Sequence, residues 1–144
     1  GEYEVKNVFI YGIASFHDNE NGKKMGKNII YRLTTESLNL AHLGDLGHEL
    51  TDEQLEKLGS IDILMIPIGG TYTLDAKMAA KVITQIEPRI VIPMHYQIPG
   101  LKTELKGVEE FLKTCGLASE TMDKLKISPK ELPAEETKVI ILTV

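Results

Sequence analysis

The sequence predicts an α/β fold in which a mixed sheet is covered by helices, and three observations carry that expectation. The first third contains three short segments rich in Ile, Val, Tyr and Leu, each bounded by turn residues. Ile61 to Pro67 is a nearly continuous apolar run, and Ile90 to Ile92 a shorter one, which suits strands buried on both faces. Between those two runs, Met78, Ala79, Val82, Ile83 and Ile86 recur at the spacing of one helical face.

Taken in order, Asn7 to Ile13, Asn28 to Leu33 and Leu38 to Leu43 read as a β-meander. Thr51-Asp52-Glu53-Gln54 has the form of a capping box, and Gly59 sits where a helix of about eight residues stops. After the strand Ile61 to Pro67, Asp75 caps a second helix that runs to Glu87 and ends at Pro88. Ile90 to Ile92 is the next strand, Thr103 to Cys115 a third helix stopped by Gly116, and Val139 to Leu142 a closing strand. The expected order is βββ-α-β-α-β-α-β. In such a layered fold, ligands gather beyond the carboxyl ends of the strands.

The chain has 144 residues, with 16 Lys and Arg against 21 Asp and Glu, for a net charge of −5. That length allows burial of roughly 70% of the unfolded surface, and Cys115, the lone cysteine, has no partner for an internal disulfide. No stripe of Lys and Arg with interleaved aromatics is present, which argues against nucleic acid as a partner. No apolar stretch approaches the about 20 residues of a membrane helix, so no membrane partner is expected. A reducing cytoplasm is the default location. No repeat or linker divides the chain, so residues 1–144 read as one unit.

Polar residues follow the apolar strands with regularity. Ser15-Phe16-His17-Asp18 follows the first, Gly44-Asp45-Leu46-Gly47-His48 the third, and Pro93-Met94-His95-Tyr96 the strand Ile90 to Ile92. If those strands lie near one another, His17, Asp45 and His95 meet at one sheet edge. That set of nitrogen and oxygen donors suits Zn²⁺, Mn²⁺ or Fe²⁺. Spacing alone leaves a second reading open, in which the histidines are separate surface or hydrogen-bonded groups. His42, alternating with Leu38 and Leu40, reads as structural. His48 lies three residues past Asp45, within reach of a substrate-facing or supporting role. Asp18 could orient His17 or be a solvated turn residue.

Other chemistries lack their residues. Cys115 has no histidine near it in sequence, Gly69-Gly70 lacks the Gly-Lys-Ser/Thr ending of a phosphate loop, and no Gly-x-Ser-x-Gly elbow occurs. No cofactor-binding motif is found.

Together these segments resemble the metallo-β-lactamase superfamily. The nearest likeness is to the Zn-dependent hydrolases of the β-lactamase fold, an ascorbate-phosphate lactonase-like branch, and more distantly to N-acylphosphatidylethanolamine phospholipase D. The stretches that carry it are Gly1 to Val5, Ser15 to Asn19, Ala41 to His48, Leu64 to Gly70 and Ile90 to Tyr96. The resemblance implies an αββα sandwich of two similar halves with two metal ions between the sheets. His17, Asp45 and His95 match the last three of seven ligands, with Asp45 bridging the ions. It also implies catalysis at Asp45 and His48, with a hydroxide held by the metals attacking an ester, lactone or phosphoester of a small-molecule substrate. The loop Gly69 to Asp75 would lie beside that substrate.

The first four ligands of the superfamily come from a His-x-His-x-Asp-His motif, and no such motif occurs here. The expectation is therefore a carboxyl-terminal half, a single partial domain over residues 1–144 that is inactive or nearly so alone. Zn (or Mn or Fe) would occupy two sites in the complete fold and one or none in this chain. The alternative is a non-catalytic association module whose exposed sheet face is covered by a homodimer partner or by the missing amino-terminal half.

Overall fold

The computed structural model covers residues 1–144. Its strands are β1 (Glu2–Val5), β2 (Val8–Phe16), β3 (Lys27–Thr34), β4 (Asn39–His42), β5 (Ile63–Pro67), β6 (Ile90–Met94), β7 (Ser119–Met122) and β8 (Lys138–Leu142). The helices are α1 (Asp52–Leu58), α2 (Ala76–Ile86) and α3 (Val108–Cys115), with a short 3-10 turn at Pro129–Glu131. All eight strands form one mixed sheet in the order β1-β2-β3-β4-β5-β6-β8-β7. The first four pair antiparallel and the rest parallel. The expected α/β class with a mixed, helix-covered sheet is what forms.

Local chemistry explains the helix ends. Thr51 accepts from the Gln54 backbone N–H while the Gln54 side chain accepts from the Thr51 N–H, completing the box. The Gln54 amide also donates to the Ala14 carbonyl at 2.9 Å, fastening α1 to β2. Asp75 accepts from the Met78 N–H at 2.8 Å, and Ala76, Ala79, Val82 and Ile83 bury the apolar face of α2.

Several boundaries differ from the sequence reading. β2 runs on to Phe16 because every residue from Phe9 to Phe16 finds a partner on β3. The first residues form a strand, β1, in a hairpin with β2. Helix α3 starts at Val108 rather than Thr103, since Thr71, Gln97 and Gly69 hold residues 104–106 in an extended loop. β7 was not expected: three of its four side chains are polar and exposed and carry no periodic signal, and backbone pairing to β8 makes it a strand.

The two sheet faces are unlike. On one, Ile13, Ile30, Leu64, Ile66, Val91 and Val139 pack beneath the helices with Leu58, Val82 and Phe111, all buried. Removing such a side chain costs about 2–5 kcal/mol. On the other, Ile63, Ile90 and Ile140 are covered by Leu125, Ile127 and Leu132 of the connection before β8. That cover stops short of β2 and β3, where Ile29 and Tyr31 remain exposed. No helix is long and apolar enough to cross a membrane.

Candidate metal centre at the carboxyl edge of the sheet

Because β3 runs against both its neighbours, β2 and β4 are parallel, and β5 and β6 follow the same direction. The carboxyl ends of β2, β4 and β6 therefore share one edge. β4 lies midway, two strands from β2 and two from β6, about 10 Å on each side at the usual strand spacing. Loops and side chains close that gap. His17 Nε2 stands 3.4 Å from Asp45 Oδ2, and His95 Nε2 stands 3.9 Å from Asp45 Oδ1. One carboxylate thus faces an imidazole with each of its oxygens. No group of three or more His, Cys, Asp or Glu side chains closes around a single ion position.

The Asp45 loop is held from below by Asn28. The Asn28 amide donates to Ser15 Oγ and to the Leu43 carbonyl, both at 2.9 Å, and its oxygen accepts from the Asp45 N–H at 3.0 Å. Gly47 is required by close approach, since a Cβ there would lie 2.4 Å from the His17 carbonyl group. Its N–H donates to the Phe16 carbonyl at 3.1 Å. His95 adopts φ 53°, a left-handed backbone uncommon outside glycine. Its carbonyl packs on Gly69, where any side chain would collide.

The other candidates have structural surroundings. His48 Nε2 accepts from the Phe16 N–H at 3.0 Å and its Nδ1 meets the Glu49 carbonyl at 2.6 Å, so both ring nitrogens are engaged with backbone. With Nδ1 as the donor, the ring braces the residue just before His17. His42 Nδ1 accepts from the Gly44 N–H at 3.1 Å. Asp18 neither orients His17 nor lies solvated. Its two oxygens accept from the N–H groups of Glu20, Gly22, Lys24 and Met25 at 2.7–3.0 Å. Those donors, Met25 foremost, hold its carboxyl down to about 2. His17 Nδ1 is left buried without a partner. At Tyr96, burial first and the Glu109 charge second push the phenol above its usual range.

The family described as Beta-lactamase superfamily domain matches residues 1–95. The chain belongs to this family. It is 33% identical over 143 residues to a UPF0173 metal-dependent hydrolase of Pyrococcus abyssi, an alignment covering 96% of the chain and 59% of that relative. A relative of the same description from Thermococcus onnurineus is 34% identical over 125 residues, covering 85% and 54%. A Thermotoga maritima crystal structure, described as a Zn-dependent hydrolase of the metallo-beta-lactamase superfamily, superposes with TM-score 0.82 at 36% identity, covering 99% of the chain and 70% of its own. The chain spans between half and three fifths of the length of these curated relatives.

Within this β-lactamase superfamily chain, sequence reasoning overlooked Asn28 and Ser15 as supports of the centre. A signal existed. Asn28 and Ser15 occupy the sheet face that Ile30 and Ile13 bury, where alternation calls for apolar residues.

Proposed function

We propose that this chain supplies His17, Asp45 and His95 to the metal centre of a metal-dependent hydrolase. The observation that carries the reading is the Asp45 carboxylate standing between two imidazoles, one at each oxygen. Two donors of one tetrahedral zinc stand about 3.4 Å apart, which matches the spacing of His17 and Asp45. His17 with Asp45 Oδ2 would serve one ion, and His95 with Asp45 Oδ1 a second. The remaining ligands would come from the part of the fold that carries a His-x-His-x-Asp-His motif. When bound, the metal supplies a water acidic enough to act as nucleophile and polarises the scissile group.

In this reading the chain's own residues position the chemistry. Asn28 and Gly47 set the Asp45 loop against His17, His48 braces the backbone at Phe16, and Gly69 accommodates the His95 turn. Zinc is the first expectation, with manganese or iron as alternatives. A lactone, ester or phosphoester is the substrate class that the resemblance to ascorbate-phosphate lactonase suggests. The isolated 144-residue chain is expected to be inactive or nearly so.

Calorimetric titration with Zn²⁺ tests this. Weak binding by the 144-residue chain, abolished in Asp45→Asn and joined by hydrolysis when the chain is extended to the full length of its relatives, supports the reading. Zn²⁺ binding unaffected by Asp45→Asn sinks it.

A second reading rests on a separate observation, the bare face at β2 and β3 with Ile29 and Tyr31 exposed. There the chain acts as an association module that pairs with the rest of its fold or with a second copy. A monodisperse species of 16.0 kDa by light scattering at high concentration would count against the second copy.

A further inference from the structure

Beside the candidate centre lies a cavity of about 410 Å³. It shares Met94 and His95 with the groove that runs past Asp45, so both spaces border the His95 side chain. Its remaining walls are largely aliphatic, with Ile98, Leu101, Leu105 and Leu142 foremost. At its other end the groove carries Lys27, on the far side of Asp45 in strand order.

The walls are preformed, although residues 96–106 have no regular secondary structure. The left-handed backbone of His95 turns the chain out of β6. Gln97 then organises the segment from within. Its N–H donates to the Lys106 carbonyl at 3.0 Å, and its side-chain amide donates to the carbonyls of Ile98 and Leu101 at 3.1 and 3.3 Å. Its side-chain oxygen accepts from the Leu105 N–H at 3.0 Å. The Lys106 N–H donates to the Gly69 carbonyl at 3.0 Å, and the Thr71 hydroxyl to the Glu104 carbonyl at 2.8 Å. A loop fixed in this way binds an apolar group without the entropy cost of ordering itself.

We propose that this cavity is a specificity pocket for an unbranched alkyl or acyl group of the substrate, with the scissile carbonyl lying toward His95. The assignment rests on the hydrolase reading above. The cavity's size falls within the range of small-molecule pockets, about 300–1,000 Å³. A protein partner instead asks for a patch of about 800 Å² per side. The direct continuity with the groove at His95 favours one molecule that is polar at the metal edge and apolar in the pocket.

The test titrates the metal-free 144-residue chain with the n-alkanoates from butanoate to decanoate, following the methyl NMR signals of Met94, Leu101, Leu105 and Leu142. Affinity should rise about three- to fourfold per added methylene, the worth of one buried CH₂, and level off once the pocket is full. Leu101→Asp should remove the chain-length dependence, and Leu101→Trp should bring the plateau to a shorter chain. Leu101 is partly exposed, so both variants are expected to fold, and thermal melts check that they do. Affinity independent of chain length overturns the proposal, as does a chain-length dependence read at Ile10, Ile29 and Leu33 of the groove instead of at these four methyls. Self-association that buries the same four methyls without alkanoate overturns it in favour of a second copy. Zn²⁺ titration runs alongside. Zn²⁺ uptake without chain-length dependence breaks the pocket alone, whereas chain-length dependence with no Zn²⁺ uptake even by the chain extended to the full length of its relatives leaves an alkyl pocket and breaks the hydrolase reading.

Discussion

The turn after β2 and the loop after β4 each place an aspartate near His17 and use it in opposite ways. Asp18 is buried, and four backbone N–H groups occupy its oxygens. Asp45 leaves 52% of its side chain exposed and turns its oxygens toward His17 and His95. A carboxylate filled by backbone donors organises a turn and has no capacity left for a ligand. One that stands half exposed between imidazoles keeps that capacity. Residue type is the same, so the number of donors the surrounding backbone aims at the side chain decides its role.

The comparison can be broken most forcefully at Asp45. Asp45→Asn should lower the Zn²⁺ affinity of the chain extended to the length of its relatives by about 100-fold or more, read by calorimetry, while the melting temperature of the metal-free chain hardly moves because the side chain is exposed. Gly47→Ala comes next. A methyl 2.4 Å from the His17 carbonyl group should destabilise the fold by about 1–3 kcal/mol in urea denaturation and displace the His17 NMR signals. His48→Ala strands the Phe16 N–H and should cost about 1–2 kcal/mol. In the same urea experiment, restoration by His48→Gln would show that hydrogen bonding, rather than ring chemistry, is what His48 supplies.

The smallest effect is confined to the Asp18 turn and sharpens the contrast through pH. The carboxyl is held at about 2 in the fold against an ordinary value of 3.8. Its stabilising contribution is therefore complete above the ordinary value and fades as pH falls through the folded one. Hydrogen exchange should show protection at Gly22, Lys24 and Met25 retained at pH 5 and lost between about pH 4 and pH 2, with Asp18→Asn losing it at neutral pH as well.

Much of this was legible in the sequence where short-range chemistry writes it. The capping residues Thr51 and Asp75 and the breaks at Gly59, Pro88 and Gly116 mark helix ends, because caps act within four residues. The apolar runs Ile61 to Pro67 and Ile90 to Ile92 mark buried strands, which form as Ile63–Pro67 and Ile90–Met94, because periodicity is local. The chemistry-bearing residues could also be seen to follow strands. The role of Asp18 could not, since its four donors depend on how residues 19–25 fold back over it. Nor could β7, whose strand conformation depends on pairing with a strand some 20 residues later.

What the sequence by itself determined is the α/β class, the helix boundaries set by caps, and the presence of His17, Asp45 and His95 just past apolar strands. Only the tertiary structure decided that β4 lies midway between β2 and β6, which brings Asp45 within 4 Å of two histidines that lie 28 and 50 residues away along the chain. Strand order follows from long-range backbone pairing and from the burial of whole sheet faces. Those terms depend on every element at once, and no local pattern of residues records them.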